Sequence, residues 1–353
     1  FVPESLPKLS EADVMGLCDK SYPERAFEIF KLFLTDFTDD EIRYCVNNAY
    51  GSNFDTENVS EISHLLTGTY ILELWHGPTC AFKDMALQML PYLLTASLKK
   101  TGEEKTVCIL VATSGDTGKA ALEGFHDVPG VRICVFYPYG GVSAVQQAQM
   151  ATQTGDNVKV CAVRGNFDDA QTGVKQVFAA CKGRDLHGAM LSSANSINIG
   201  RLAPQVVYYF RAYGDLVKAG RIALGGKVNF VVPTGNFGDI LAGYFAKELG
   251  LPVGRLVCAS NANDVLTEFI ATGRYDRRRP FYKTVSPSMD ILVSSNLERL
   301  LYLLSGDDKL IADLMKQLSE NGEYEVPADM LEKLHELFWA GFCDDEGAKT
   351  AIG

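Results

Sequence analysis

The sequence predicts an α/β fold: mainly parallel sheets covered by helices, in two domains, behind a helical N-terminal segment. Three observations carry this expectation. From residue 69 onward, short apolar runs alternate with helix-patterned stretches, the order that builds parallel sheets. The runs are apolar throughout rather than at every second position, as in strands covered on both faces. The chain has 353 residues, more than one ordinary domain at about 150 residues each.

Helices come first. Ser10 and Asp13 can cap one start, and Ser21 with Pro23 suits the cap and first turn of the next, which carries Phe27, Phe30 and Leu34 on one face. Thr38 and Glu41 have capping-box spacing before Ile42, Tyr44 and Cys45. Residues 69–74 are strand-like, and 83–100 read as one helix. The apolar runs 107–111, 131–136 and 158–163 lead respectively into a glycine turn with an alanine-rich helix, a helix from Ser143, and a helix from about Phe167. A long helix starts near 198, with Leu202, Val206, Tyr209 and Phe210 on one side. Residues 228–232 form a strand before a second glycine turn and a helix to Leu249, and 255–259 form the next strand. Beyond about 287 only helices are expected. Three segments follow: 1–67 is helical, 106–198 is the smaller α/β domain, and 68–105 with 199–353 is the larger.

Composition narrows the function. Hydrophobic residues make up 47% and charged residues 22%, which excludes a disordered or fibrous chain. The net charge of −11 argues against nucleic acid or an anionic membrane as partner. No apolar run nears the roughly 18 residues that cross a bilayer. The nine cysteines contain no C-x-x-C spacing, which reads as reduced thiols in the cytoplasm. The five histidines form no pair at helical spacing, so no metal site is expected.

Two strand-to-helix turns are polar and glycine-rich: Ala112-Thr113-Ser114-Gly115-Asp116-Thr117-Gly118 and Pro233-Thr234-Gly235-Asn236-Phe237-Gly238-Asp239. Glycine lets backbone N–H groups approach an anion, and the helix start adds partial positive charge. Each turn can hold a phosphate or a carboxylate at the sheet's carboxyl edge, or be a tight turn with no ligand. Neither is a nucleotide fingerprint: Ala120 stands where a Walker loop needs Ser or Thr, and no strand leads into G-x-G-x-x-G. Lys83 follows the Gly77-Pro78 turn, at or near a helix start, between Phe82 and Met85. Apolar, electropositive surroundings would suit it to imine formation, and a solvated surface lysine is the alternative. A lysine with two anion cups fits pyridoxal phosphate, whose aldehyde takes the lysine and whose phosphate takes a cup, leaving the other for an amino acid's carboxylate.

The segments HGPTCAFKD (76–84), ATSGDTG (112–118), SANSINIGR (193–201) and PTGNFGD (233–239) stand in the order and spacing of one family. FVPESLP (1–7) and SPSMDI (286–291) add to them. Along essentially its whole length the chain resembles the threonine synthase family, pyridoxal-phosphate enzymes of the tryptophan-synthase-β type, fold type II. The resemblance implies that Lys83 bonds the cofactor and then shuttles protons. It implies that Gly235, Asn236, Phe237 and Gly238 cup the cofactor phosphate, with Asp239 beside it. Thr113, Ser114, Gly115, Asp116 and Thr117 would bind the substrate carboxylate, Asp116 also facing the cofactor ring. Asn195, Ser196, Asn198 and Arg201 would hold the phosphate of O-phospho-L-homoserine, which is converted with water to L-threonine and phosphate. Three side-chain donors and a guanidinium at a helix start suit a phosphate dianion, and an ordinary capped helix with Arg201 in a surface ion pair is the alternative.

A monomer is expected, with a dimer as the alternative. Other readings are a fold type II lyase such as a threonine dehydratase, against which the SANSINIGR segment speaks, or a non-catalytic threonine-synthase-like binding protein. The family continues past this chain's last residue, so the sequence reads as lacking its N-terminal start and the C-terminal part of the larger domain.

Overall fold

The structure, a computed structural model, describes residues 2–352; Phe1, which opens the FVPESLP stretch, and Gly353 lie outside the described residues. The described chain divides into two compact units. One is Asp19–Asp215, and the other joins the residues up to Cys18 to those from Leu216 onward.

The chain opens with α1 (Glu11–Cys18), α2 (Tyr22–Phe33) and α3 (Asp39–Ala49). The last two start as the sequence predicts: Ser21 with Glu24, and Thr38 with Glu41, form reciprocal capping boxes that satisfy otherwise unpaired N–H groups. Next comes a strand absent from the sequence reading. β1 (Glu61–Leu66) pairs antiparallel with β2 (Thr69–Glu73) across a short turn at Gly68, whose φ is +75°.

The helix expected over 83–100 is two helices, α4 (Asp84–Leu87) and α5 (Leu90–Thr101). Pro91 explains the break. It has no N–H to give the Leu87 carbonyl four residues back, so the ladder stops there. The freed carbonyl faces Gly124, where any Cβ would overlap it.

β3 (Thr106–Ala112), α6 (Asp116–Phe125), β4 (Val131–Pro138), α7 (Ala144–Ala151), β5 (Val158–Val163), α8 (Phe167–Cys181) and β6 (Ala189–Ser192) build a parallel four-stranded sheet in the order β5-β4-β3-β6. Val107, Ile109 and Val111 of β3 and Val131, Ile133 and Val135 of β4 pack against Ala120, Ala121 and Phe125 of α6 in one core. The chain moves from β3 outward to β5, then returns through α8 to lay β6 on the other side of β3. The carboxyl end of β3 is therefore a switch point, where open α/β sheets take ligands. β6, four residues long, is a second strand the sequence reading lacks.

The boundary between the units falls inside α9 (Ile199–Lys218). After it come β7 (Val228–Pro233), α10 (Gly238–Glu248), β8 (Val253–Ser260), α11 (Val265–Thr272), β9 (Arg274–Asp276), α12 (Leu297–Ser305), α13 (Asp308–Asn321), β10 (Glu323–Glu325), α14 (Ala328–Leu337), β11 (Phe338–Phe342) and α15 (Asp345–Ile352). β11-β8-β7 is a parallel sheet, and β9 pairs antiparallel with β10. The region beyond 287 is thus not purely helical: β10 and β11 lie in it, and β11 extends the sheet begun by β7 and β8. Among the described residues no helix is long and apolar enough to cross a membrane, and no cluster of three metal-ligating side chains occurs.

Gly124→Ala is expected to cost about 1–3 kcal/mol, because a backbone carbonyl blocks the methyl group. Gly173→Ala, inside α8 where a Cβ meets nothing, is expected to gain up to about 1 kcal/mol. Urea unfolding of the two variants beside the parent checks both signs.

Candidate active site

The turn after β3 is organised from within. The Thr113 N–H donates to the Phe136 carbonyl of the neighbouring strand (3.0 Å). The buried Thr113 hydroxyl oxygen accepts the N–H groups of Gly115 and Gly118, each at 2.9 Å. Thr113 therefore directs its hydroxyl into the turn. Gly115, at φ +146°, has no room for a Cβ against the Gln146 amide. Among the described residues the N–H groups of Ser114 and Thr117 find no acceptor. They flank the start of α6, which favours an anion such as a carboxylate.

Lys83 is set by a second clamped turn. Asp84 is fully buried, and its carboxylate accepts the Thr79 N–H (2.8 Å) and hydroxyl (2.7 Å). Gly77 packs so closely on Asp84 that a Cβ would overlap it. Burial raises the Asp84 pKa above the usual carboxylate range, against the opposing pull of the Thr79 bonds. Lys83 immediately precedes α4, makes no side-chain capping bond there, and is 9% exposed. Its Nζ lies 3.5 Å from Asp116 Oδ2 and 4.5 Å from the Phe82 ring centre. Asp116 Oδ1 accepts a hydrogen bond from Gln146 Nε2 at 2.7 Å. The structure thus joins Lys83 and Asp116 and adds Gln146, which the sequence reading does not single out. Its signal was available: Ser143 and Gln146 have capping-box spacing. His76 lies between Asp55 (Nδ1, 2.6 Å) and Glu73 (Nε2, 3.0 Å). Burial opposes its charge, but the two carboxylates prevail and hold its pKa above the ordinary value.

The 193–201 segment turns into α9. Asn198 serves the turn itself: its Nδ2 donates to the Ser193 carbonyl (3.2 Å) and its Oδ1 accepts the Gly200 N–H (2.9 Å). The Asn195 N–H donates to the Ser193 hydroxyl (3.2 Å), and Ser196 sits half-buried between them. Arg201 is 3% exposed. Its Nη1 donates to the Ala194 carbonyl at 2.7 Å, while its Nε is buried without an acceptor, as Asn195 Oδ1 is without a donor. Among the described residues no carboxylate pairs with Arg201, and burial pushes its pKa down to about 10. A buried cation without a counter-charge is costly, and an incoming anion relieves that cost.

The 233–239 turn belongs to the other unit. The Thr234 N–H donates to the Ala259 carbonyl (2.9 Å). Among the described residues the N–H groups of Gly235, Asn236, Phe237 and Gly238 have no acceptor. Phe237 is fully buried in the left-handed region (φ 63°), its ring centre 5.8 Å from that of Phe338 on β11. The Ser294 hydroxyl donates to the Gly235 carbonyl (3.0 Å) and Asn296 Nδ2 to the Asn236 carbonyl (2.9 Å), holding the loop from outside. A Cβ on Gly235 would come within 2.6 Å of the Ser288 carbonyl oxygen. Asp239 Oδ1 accepts the Ile240 N–H at 2.9 Å. Unpaired N–H groups converging at the start of α10 make a nest for a phosphate, so these residues fit the phosphate of pyridoxal phosphate.

A family model for pyridoxal-phosphate dependent enzymes matches residues 57–324, and one for the threonine synthase N terminus matches residues 1–50. Threonine synthase of Pseudomonas aeruginosa is 41% identical over 348 residues, spanning 98% of this chain and 72% of that protein. Threonine synthase-like 1 of Homo sapiens is 40% identical over 366 residues, spanning all of this chain and 49% of that protein. The chain therefore spans about half the length of such curated relatives. Among solved structures, PLP-bound threonine synthase from Brucella melitensis has a TM-score of 0.88 at 39% identity, covering 97% of this chain and 72% of that one. Threonine synthase from yeast has a TM-score of 0.90 at 35% identity, covering 100% and 72%.

A group with a raised folded-state pKa stabilises fully below its unfolded value, about 6.5 for histidine, and the contribution fades as pH rises through the folded value. The stability difference between the parent and His76→Gln is thus expected to be widest near about pH 5.5 and to shrink at alkaline pH. Urea unfolding across that range measures it.

Proposed function

This chain belongs to the threonine synthase family of pyridoxal-phosphate-dependent enzymes, and from that premise we propose that it converts O-phospho-L-homoserine and water to L-threonine and phosphate, as the last step of threonine biosynthesis. The observation that carries the substrate is Arg201, a buried guanidinium without a carboxylate partner among the described residues. Threonine dehydration involves no second phosphate and leaves that charge unexplained.

Pyridoxal phosphate, when bound, supplies an electron sink for charge that develops at the substrate's α-carbon. The N–H groups of Gly235, Asn236, Phe237 and Gly238 would hold its phosphate, and Lys83 would bond it. The Lys83 amine takes the α-proton and returns it, with Asp116 at 3.5 Å to receive a hydrogen bond from the ammonium. The free N–H groups of Ser114 and Thr117 bind the substrate's carboxylate at the start of α6. Arg201 binds the substrate's phosphate and stabilises it as it leaves, helped by Asn195, Ser196 and Asn198 from the same turn. We also read the protein as cytoplasmic, a reading supported by nine cysteines without a disulfide.

Borohydride reduction of the cofactor-loaded chain should place the label on Lys83, and Lys83→Ala should abolish both label and phosphate release. A label on another lysine sinks the assignment. Trapping at Lys83 without phosphate release from O-phospho-L-homoserine sinks the substrate and spares the cofactor.

Arg201→Leu is expected to raise KM for O-phospho-L-homoserine by about ten- to a hundredfold, the weight of charge-assisted hydrogen bonds. Its thermal midpoint should stay level or rise, because a buried unpaired charge is removed. Steady-state kinetics beside a melting curve tests both halves.

A further inference from the structure

The Gln146 amide has two partners, and each dictates its orientation. Oε1 accepts the Ser143 N–H at 3.1 Å, closing the capping box of α7, while Nε2 donates to Asp116 Oδ1 at 2.7 Å. The cap alone does not require glutamine, since glutamate serves that position equally well. Only the second bond requires a neutral donor, because a carboxylate at position 146 would face the Asp116 carboxylate. Gly115 keeps the approach open, as any Cβ there would overlap the Gln146 amide.

Asp116 presents its other oxygen, Oδ2, to Lys83 Nζ. Of the other charged groups on α4, α5 and α6, Lys99 is exposed near the far end of α5, and the rest have other partners. Asp84 binds Thr79, Lys119 pairs with Glu123 one turn along α6, and Lys100 at the far end of α5 pairs with Glu41. We propose that Gln146 is a positioning residue: its amide holds the Asp116 carboxylate in the orientation that faces Lys83, and so sets the proton affinity of the lysine amine. A carboxylate at 3.5 Å, largely out of water, favours the ammonium, whereas bonding an aldehyde or taking a proton needs the free amine. The start of α7 thus governs how readily Lys83 gives up its proton.

The functional meaning rests on Lys83 being the cofactor's lysine, but the test reads Lys83 directly. In the chain stripped of cofactor, reductive methylation with formaldehyde and cyanoborohydride, mapped by mass spectrometry, gives the pH midpoint of Lys83 reactivity. Recovery of the visible absorption band on reloading shows that stripping leaves the fold intact. Gln146→Glu keeps the α7 cap and adds an anion, so the midpoint is expected to rise by about one pH unit. Gln146→Met keeps length and helix propensity but removes the donor, so Asp116 loses the bond that turns it to Lys83 and the midpoint is expected to fall. A role confined to capping α7 predicts no such opposed pair of shifts. An unchanged or lowered midpoint in Gln146→Glu overturns the proposal, and so does an unchanged or raised one in Gln146→Met. Neither result bears on whether the loaded enzyme releases phosphate from O-phospho-L-homoserine.

Discussion

The two bonds that the Thr113 hydroxyl oxygen accepts, from Gly115 and Gly118, fix where α6 begins relative to β3. With them in place, Asp116 becomes the first residue of α6 and turns its carboxylate to Lys83, while the Ser114 and Thr117 N–H groups find no acceptor among the described residues. Lys83 can meet that carboxylate because Asp84 ties the preceding turn to Thr79 from within. Lys83 and Asp116 are thus positioned by the buried side chains of Thr113 and Asp84. This arrangement suits catalysis, where rigid support of the reacting groups matters as much as their identity.

The candidate anion sites draw on backbone N–H groups far more than on cationic side chains. For a chain of net charge −11, this is a consistent way to offer sites to anions. Surface charge is screened beyond about 8–10 Å in physiological salt, whereas N–H groups aimed into a nest act at hydrogen-bond range. Arg201 is the exception, a buried full positive charge with no paired carboxylate among the described residues. A lysine there would present a point charge rather than the guanidinium's planar fork, which matches two phosphate oxygens at once.

Much of this was legible in the sequence because the signals are local. The capping boxes at Ser21 and Thr38, the glycine turns after β3 and β7, and the apolar runs of β3, β4 and β5 each state their own geometry. What escaped depends on distant partners. β6 is four residues long and β9 and β10 are three each, too short to show a period. β11 follows α14 directly, with no turn residue to announce it. The split between α4 and α5 was readable from Pro91 alone, but the helical pattern on both sides concealed it. The candidate site divides in the same way. Its glycines, its lysine and its arginine stand in recognisable segments, whereas the orphaned Nε of Arg201 and the second bond of Gln146 exist only once the chain has folded.

Phe237 has a consequence for the order in which the protein becomes able to bind its cofactor. A bulky residue in the left-handed region is strained by about 1–3 kcal/mol and persists only where its surroundings enforce it. Here the enforcing partner includes the Phe338 ring on β11, which leaves the ribosome long after the loop it steadies. Domains gather from the N-terminal end as the chain is made, yet this loop waits for a strand far downstream of it. The loop is therefore finished only after β11 has been made, and a nascent chain halted before β11 would carry every residue of the nest without its finished shape.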